Sequence, residues 1–183
     1  MNQQNFCLQP FTPISSFDLQ IHGNIDREHN HLTINYLFQG DLEKIDIPTP
    51  ADIPTRKHEL WKITCWEFFL GIKDKPSYWE FNLSPTGDWN VYRFDDYRRG
   101  MQEETAITSL PFILRHHSDS LELTLELDLD KFIAPELNLD VGITTVVQDI
   151  NGVTTYWALK HSGEEADFHL RDSFTIELMG IGI

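Results

Sequence analysis

The segment LELTLELDLD, residues 121–130, alternates leucine with a polar or acidic residue at every step. Successive side chains of a β-strand point to opposite faces of the sheet, so a strand would place all of these leucines on one face. A helix would distribute the same leucines around its whole circumference. The segment therefore predicts a strand with one face in a hydrophobic core and the other in water.

The same alternation predicts an all-β fold for the rest of the chain. The dipeptide Asn151-Gly152 predicts a hairpin, because both residues tolerate the positive φ of a tight turn. The proline-rich segment 46–56 predicts an extended loop, and 97–105 predicts a short helical turn. A chain with several short strands and no long helix is typical of a two-sheet β-sandwich of the jelly-roll type. Further strands are predicted at 17–21, 32–38, 62–70, 77–83, 89–94, 141–148, 153–159 and 173–178.

Length and charge limit the organisation and the partners. The 183 residues suit a single domain, which we expect to cover 1–183. With 14 Lys and Arg against 29 Asp and Glu, the net charge is −15. This charge repels phosphate backbones and anionic lipids, so neither nucleic acid nor a membrane is an expected partner, whereas a protein partner is compatible. The acidic strand 121–130 is expected to protect a sheet edge.

The start of the chain and the two cysteines indicate a cytoplasmic location. Residues 1–5 have neither basic residues nor the apolar run of a signal peptide. No apolar segment approaches the roughly 20 residues that span a bilayer. Cys7 and Cys65 are too few for a disulfide framework or a zinc cluster, and we expect both to be reduced.

Polar side chains on the three central predicted strands suggest a binding surface. If these strands are neighbours, Glu67, Glu80, Asn82 and Arg93 could cluster on one wall of a sheet. Carboxylates, an amide and a guanidinium beside aromatic residues suit a sugar, whose polar edges form hydrogen bonds and whose apolar faces stack. The alternative is a structural ion pair between Arg93 and Glu80. A one-residue slip in register would reverse either arrangement.

The loop after the last predicted hairpin carries further candidates for ligand contact, namely His161, His169 and Arg171. A metal site needs three or more converging ligands, and the sequence predicts none. Phosphate-binding loops, nucleophile elbows and zinc-protease motifs are not present in the sequence. The two glutamates could serve as the acid and base of a glycosidase, but nothing else in the sequence supports hydrolysis, so an enzyme is the least supported interpretation.

Several segments together resemble the DOMON-like superfamily, which includes the family 9 carbohydrate-binding modules and the haem- or sugar-binding DOMON domains. The similarity is greatest to small stand-alone bacterial DOMON-like proteins and covers residues 55–178. The residues that carry it are Glu59-Leu60-Trp61, Cys65-Trp66-Glu67-Phe68-Phe69-Leu70, Tyr78-Trp79-Glu80-Phe81-Asn82-Leu83-Ser84-Pro85, Gly87-Asp88-Trp89-Asn90-Val91-Tyr92, and the stretch from Leu139-Asp140-Val141-Gly142-Ile143 through Asn151-Gly152 to Trp157.

This resemblance implies a jelly-roll sandwich that binds a ligand without catalysis. In the family 9 modules two aromatic side chains clamp a sugar, and the first of these positions corresponds to Trp61, six residues before Glu67. The second position lies in the loop after the last hairpin, where this chain has Phe168 and His169 and no tryptophan. Haem-binding DOMON domains use methionine and histidine as axial ligands, and Met101 with His161 or His169 is a conceivable pair.

Three functions therefore remain open at this point. The first is a non-catalytic binding module for a carbohydrate or a similar small polar ligand. The second is a protein-interaction or structural domain in which the polar cluster contributes stability. The third is a haem-binding domain.

Overall fold

The computed structural model describes residues 3–181. Met1 and Asn2, which belong to the segment 1–5 that has no features of a signal peptide, lie outside the described range. Its secondary structure consists of strands and three short 3-10 helices, Leu42–Lys44, Leu60–Lys62 and Arg171–Ser173. The strands are β1 Gln4–Cys7, β2 Gln9–Pro10, β3 Leu19–Glu28, β4 His31–Gly40, β5 Cys65–Ile72, β6 Tyr78–Leu83, β7 Trp89–Phe94, β8 Gln102–Glu103, β9 Phe112–His116, β10 Ser120–Asp128, β11 Leu139–Gln148, β12 Thr154–Ala158 and β13 Ile176–Leu178.

The strands form two antiparallel sheets, which confirms the predicted β-sandwich. The five-stranded sheet has the order β1-β3-β4-β10-β9. The eight-stranded sheet has the order β2-β12-β11-β5-β6-β7-β8, with β13 paired to β11. Among residues 3–181, no helix has the length and apolar character needed to cross a membrane.

The main hydrophobic core lies between the two sheets and follows from the alternating pattern. The leucines of β10 are buried and face this core, while the intervening polar residues are more exposed. From the opposite sheet, Phe68 and Phe81 stack with ring centroids 4.3 Å apart. The period of two in the sequence therefore identified the inner face of the five-stranded sheet.

The central strands of the eight-stranded sheet are buried on both faces. Every residue of β6, and all of β5 except Ile72, is buried. The outer face carries two smaller apolar clusters, one around Phe69 and one around Cys65, and both contact Trp61 and Phe168. Loops that fold over this face explain why the sequence of β5 and β6 is nearly continuous in apolar residues and does not alternate.

Two predictions about secondary structure and strand order are wrong. Segment 97–105 contains no helix; it comprises part of the turn after β7, with Arg98 and Gly100 at positive φ, followed by β8. The acidic strand β10 is not at an edge, because it lies between β4 and β9. The edge strands of that sheet are the short β1 and β9, which the sequence analysis did not predict.

One buried charge joins the sandwich to its surrounding loops. Arg27, only 4% exposed, lies at the end of β3. Its guanidinium donates to the carbonyl oxygens of Pro135 and Leu137, at 3.2 and 2.6 Å. It also donates to the Oδ1 atom of Asn30, which in turn donates to the carbonyl oxygen of Ile133. The arginine therefore holds loop 130–138 against the β3–β4 turn.

We expect Arg27→Met to destabilise the fold by about 3 kcal/mol, because buried carbonyl oxygens would lose a charged donor. Urea unfolding followed by tryptophan fluorescence would measure this change. The matched control is Arg115→Met. The Arg115 side chain is 53% exposed, and its ion pair with Glu122, at 3.5 Å, lies at the surface. Equal losses in the two variants would contradict the structural role of Arg27.

Candidate ligand-binding site

A cavity of about 340 Å³ opens on the outer face of the eight-stranded sheet. Its size is at the small end of the range typical of small-molecule sites. The residues that line it come from five strands, β5, β6, β7, β11 and β12, and from three connecting segments, and they combine aromatic, apolar and ionisable side chains. They are Trp61, Glu67, Glu80, Phe94, Arg98, Met101, Val146, Tyr156, Ala166, Phe168 and His169.

The floor of the cavity is formed by neighbouring strands. Glu67 on β5 pairs with Asn82 on β6, and Phe69 pairs with Glu80, so the two glutamates are close diagonal neighbours on one face. The amide of Asn82 donates to the Oε1 atom of Glu80 at 2.9 Å. Asn82 therefore orients the Glu80 carboxyl group through this hydrogen bond, and it is not among the residues that line the cavity.

Two wall residues are held by backbone in the left-handed region. Trp61 lies on the short helix Leu60–Lys62, whose N-cap residue Glu59 has φ 61°. Arg98, in the turn after β7, has φ 52°, and its backbone N–H donates to the hydroxyl of Tyr78 at 3.2 Å. This conformation is uncommon for residues other than glycine and often marks functional sites.

Asp167 joins the two loops that form the opposite wall. Its carboxylate accepts hydrogen bonds from the Arg98 guanidinium at 2.8 Å and from the hydroxyl of Tyr97. It also accepts from the backbone N–H of His169 at 3.0 Å. These contacts fix the loop that carries Phe168 and His169 against the β7–β8 turn.

The two glutamates are buried without a cation in direct contact. Burial raises the pKa of Glu80 to about 7. Burial also raises the pKa of Glu67, and the nearby charge of Glu80 raises it further. The Oε1 atom of Glu67 is buried and has no hydrogen-bond partner. Near neutral pH the pair therefore carries a proton that an ordinary pair of glutamates would lose.

His169 is neutral in this environment. Burial is the main reason that its pKa falls to about 4, so its Nε2 atom, 3.8 Å from Glu80, forms no ion pair with that carboxylate. The hydroxyl of Tyr78 lies 2.8 Å from Nδ1 of His169. This network is satisfied when Tyr78 donates to Nδ1, which leaves the imidazole proton on Nε2 and facing Glu80.

The sequence-predicted residues divide between the cavity and its surroundings. Trp61, Glu67, Glu80, Phe168 and His169 all line the cavity, and they come from separate parts of the chain. The clustering of glutamates with aromatic side chains is therefore present in the structure.

The predicted place of Arg93 in this cluster is wrong. Arg93 shares the face of Trp89 and Val91, which points into the core between the sheets, so it lies on the other side of the sheet from Glu80. Its guanidinium extends to the exposed end of that face and lies 3.6 Å from Asp95. The predicted alternative, an ion pair between Arg93 and Glu80, is excluded by the same geometry.

His161 and Arg171 also lie outside the cavity lining. The Nε2 atom of His161 is 2.8 Å from the carbonyl oxygen of Gln9, which it can bond as a donor. The Arg171 guanidinium donates to Asp140 at 3.0 Å and to the carbonyl oxygen of Ile72 at 3.2 Å. It occupies the space above Gly71, where a Cβ atom would overlap it. Arg171 thus anchors the loop that carries the binding candidates.

Sequence reasoning missed Arg98, Phe94 and Tyr156 as lining residues. For Tyr156 a signal was present, because in β12 it alternates with the buried Trp157 and is opposite Val146. For Phe94 the signal was the same alternation in β7, where it shares a face with Tyr92. Arg98 lies in a turn and left no comparable pattern in the sequence.

A haem does not fit this cavity, although Met101 and His169 both line it. One nitrogen of His169 faces the hydroxyl of Tyr78 and the other faces Glu80. The floor carries two carboxyl groups, which would repel the anionic propionates of a haem. Within residues 3–181, no group of three or more His, Cys, Asp or Glu side chains is placed to hold a metal ion.

Comparisons with known proteins give structural neighbours only. No protein-family model matches the chain, and no curated protein matches it in sequence. A Bacteroides uniformis protein to which carbohydrate binding has been ascribed has a TM-score of 0.66 at 12% identity, over 95% of this chain and 86% of that one.

Two further similar structures are complexes of a family 9 carbohydrate-binding module from Caldicellulosiruptor kristjanssonii. The complex with cellotriose has a TM-score of 0.54 at 12% identity, over 97% of this chain and 82% of that one. The complex with glucose has a TM-score of 0.51 at 12% identity, over 94% and 81%. At this identity the similarity establishes the sandwich fold alone.

The raised pKa of Glu80 predicts that the fold loses stability as pH rises. The folded state binds the proton more tightly than the unfolded chain, whose glutamate has its ordinary pKa, so ionisation costs stability above about pH 5. From about pH 5 to about pH 8 the expected loss from this group is about 2 to 3 kcal/mol.

Urea unfolding at several pH values would measure this loss in the wild type and in Glu80→Gln. The variant should lose less stability across the same interval, because its amide does not ionise. Glu28→Gln is the control, since the Glu28 side chain is 72% exposed. Parallel pH profiles for the wild type and Glu80→Gln would show that Glu80 titrates normally.

Proposed function

We propose that this protein is a non-catalytic binding module for a carbohydrate. The observation that carries the proposal is the cavity that Trp61 and Phe168 line together with the neighbouring carboxyl groups of Glu67 and Glu80. Sugars present apolar ring faces and polar edges, so a site for them combines aromatic walls with a few convergent hydrogen-bonding groups.

The protonation of the floor suits a neutral polyhydroxylated ligand. A protonated carboxyl group both donates and accepts a hydrogen bond, as a sugar hydroxyl does. The Glu67 side chain lines the cavity beside Glu80, so both carboxyl groups contribute hydrogen-bonding capacity to its floor.

The structural neighbours support the same proposal. One of them has been ascribed carbohydrate binding, and another was solved with cellotriose and with glucose. We propose in addition that the chain is a DOMON-like protein and that residues 1–183 form one domain. The resemblance across residues 55–178 supports the first of these statements, and the single core between the sheets supports the second.

Isothermal titration calorimetry with glucose and with cellotriose would test the proposed function. We expect binding that Trp61→Ala weakens at least about tenfold, since removal of a stacking aromatic side chain from a binding site typically costs more than about 1 kcal/mol. Phe168→Ala should weaken binding in the same direction, and Trp61→Phe should retain part of the affinity.

The matched control is Phe11→Ala, because Phe11 is a partly buried aromatic residue that does not line the cavity. Its affinity should equal that of the wild type. Binding that is unchanged in Trp61→Ala and Phe168→Ala would place the sugar elsewhere. No binding of either sugar by the folded wild type would favour the protein-interaction alternative.

A further inference from the structure

The cavity floor holds two acidic groups side by side, and no charged basic side chain of residues 3–181 forms an ion pair with either. Glu67 and Glu80 are 2% and 5% exposed, so water screens neither carboxyl group effectively. Two acidic groups buried as neighbours avoid double ionisation by keeping a proton or by gaining a cation, because their mutual repulsion and lost hydration are both unfavourable. In the empty cavity the pair keeps a proton.

Neither basic side chain at the cavity forms an ion pair with the two glutamates. The Arg98 guanidinium is already bonded to Asp167 at 2.8 Å and is half exposed. His169 is uncharged near neutral pH, because burial lowers its pKa to about 4. Arg93 lies on the other face of the sheet, and Arg171 is bonded to Asp140. A cation that replaces the proton of the pair must therefore come from outside the chain.

We propose that the preferred ligand of this cavity is an amino sugar, a monosaccharide whose free ammonium group binds between the carboxylates of Glu67 and Glu80 while its ring lies against Trp61 and Phe168. This inference rests on the proposed function and narrows it to a ligand class. The Glu67 side chain lines the cavity, and its buried Oε1 atom has no hydrogen-bond partner within the protein.

The aromatic side chains that line the cavity also favour a cationic sugar over a neutral one. The faces of tryptophan, tyrosine and phenylalanine rings attract cations, and Trp61, Tyr156 and Phe168 all line the cavity. The net charge of −15 also concentrates cationic ligands near the molecule. A neutral sugar would gain the stacking but none of these electrostatic contributions.

Binding of an ammonium group should release a proton from the glutamate pair. A bound positive charge favours the ionised carboxylates, so the proton held in the empty cavity leaves. Other groups around the pair do not titrate near neutral pH. Burial raises the pKa of Tyr78 and of Tyr92 to about 12 and also raises the pKa of Tyr36 and of Cys65, while His169 stays neutral and Arg98 stays charged.

Calorimetric titration of the full chain with three monosaccharides at about pH 7 would test this proposal. The sugars are glucosamine, N-acetylglucosamine, whose amide carries no charge at the same position, and glucose. We expect glucosamine to bind at least about tenfold more tightly than either neutral sugar, in line with the coupling of close, buried charge pairs. Repeating the titration in buffers of different ionisation enthalpy should show proton release with glucosamine only.

Two isosteric variants connect the preference to the glutamates. Glu67→Gln and Glu80→Gln keep the shape and hydrogen-bonding capacity of the floor but remove one negative charge each. Each should bring the affinity for glucosamine close to that for glucose, whereas Glu28→Gln, on the exposed surface, should preserve the preference. Circular dichroism would establish that each variant is folded before it is titrated.

The outcomes separate this inference from the proposed function. Equal affinities for glucosamine and glucose, or tighter binding of glucose, would overturn the amino-sugar proposal and leave carbohydrate binding intact. A preference that survives in both isosteric variants would also overturn it. Failure of all three sugars to bind the folded wild type would count against both proposals.

Discussion

Burial of the central strands on both faces is the constraint on which the site depends. In a sheet with one face exposed to solvent, Glu67 on β5 and Glu80 on β6 would point into water and would have the ordinary pKa of a glutamate. Here the loops that carry Trp61 and Phe168 cover that face. The carboxyl groups are consequently buried, and their raised pKa values follow from the architecture of the sandwich and from no local motif.

The loops can serve as walls only because charged contacts fix them. Asp167 ties the loop that carries Phe168 to the guanidinium of Arg98. Arg171 ties the end of the same loop to the sheet, in the space that Gly71 leaves open. Walls that are fixed before a ligand arrives lose little conformational entropy on binding, so more of the contact energy contributes to affinity.

The alternation of apolar residues was enough to predict most strands and the sandwich, because burial of the inner faces is encoded locally in each strand. It also placed Glu80 and Asn82 on one face, since residues two apart share a face, and the pairing of β5 with β6 brings Glu67 beside them. It failed for Arg93 because β7 is apolar on both faces, and the pattern does not say which face meets Glu80. The position of Arg98 depends on loop contacts made far along the chain, which no local pattern records.

Arg27 and Glu67 are two buried ionisable side chains with opposite hydrogen-bonding environments. Both side chains are almost completely buried. The guanidinium of Arg27 donates to several carbonyl and amide oxygens, and it holds segments of the fold together. Glu67 instead keeps a buried oxygen without a partner, beside a second acid, where an apolar residue would stabilise the sheet. This arrangement is unfavourable for folding, and the proposed binding of a ligand at the cavity would account for it.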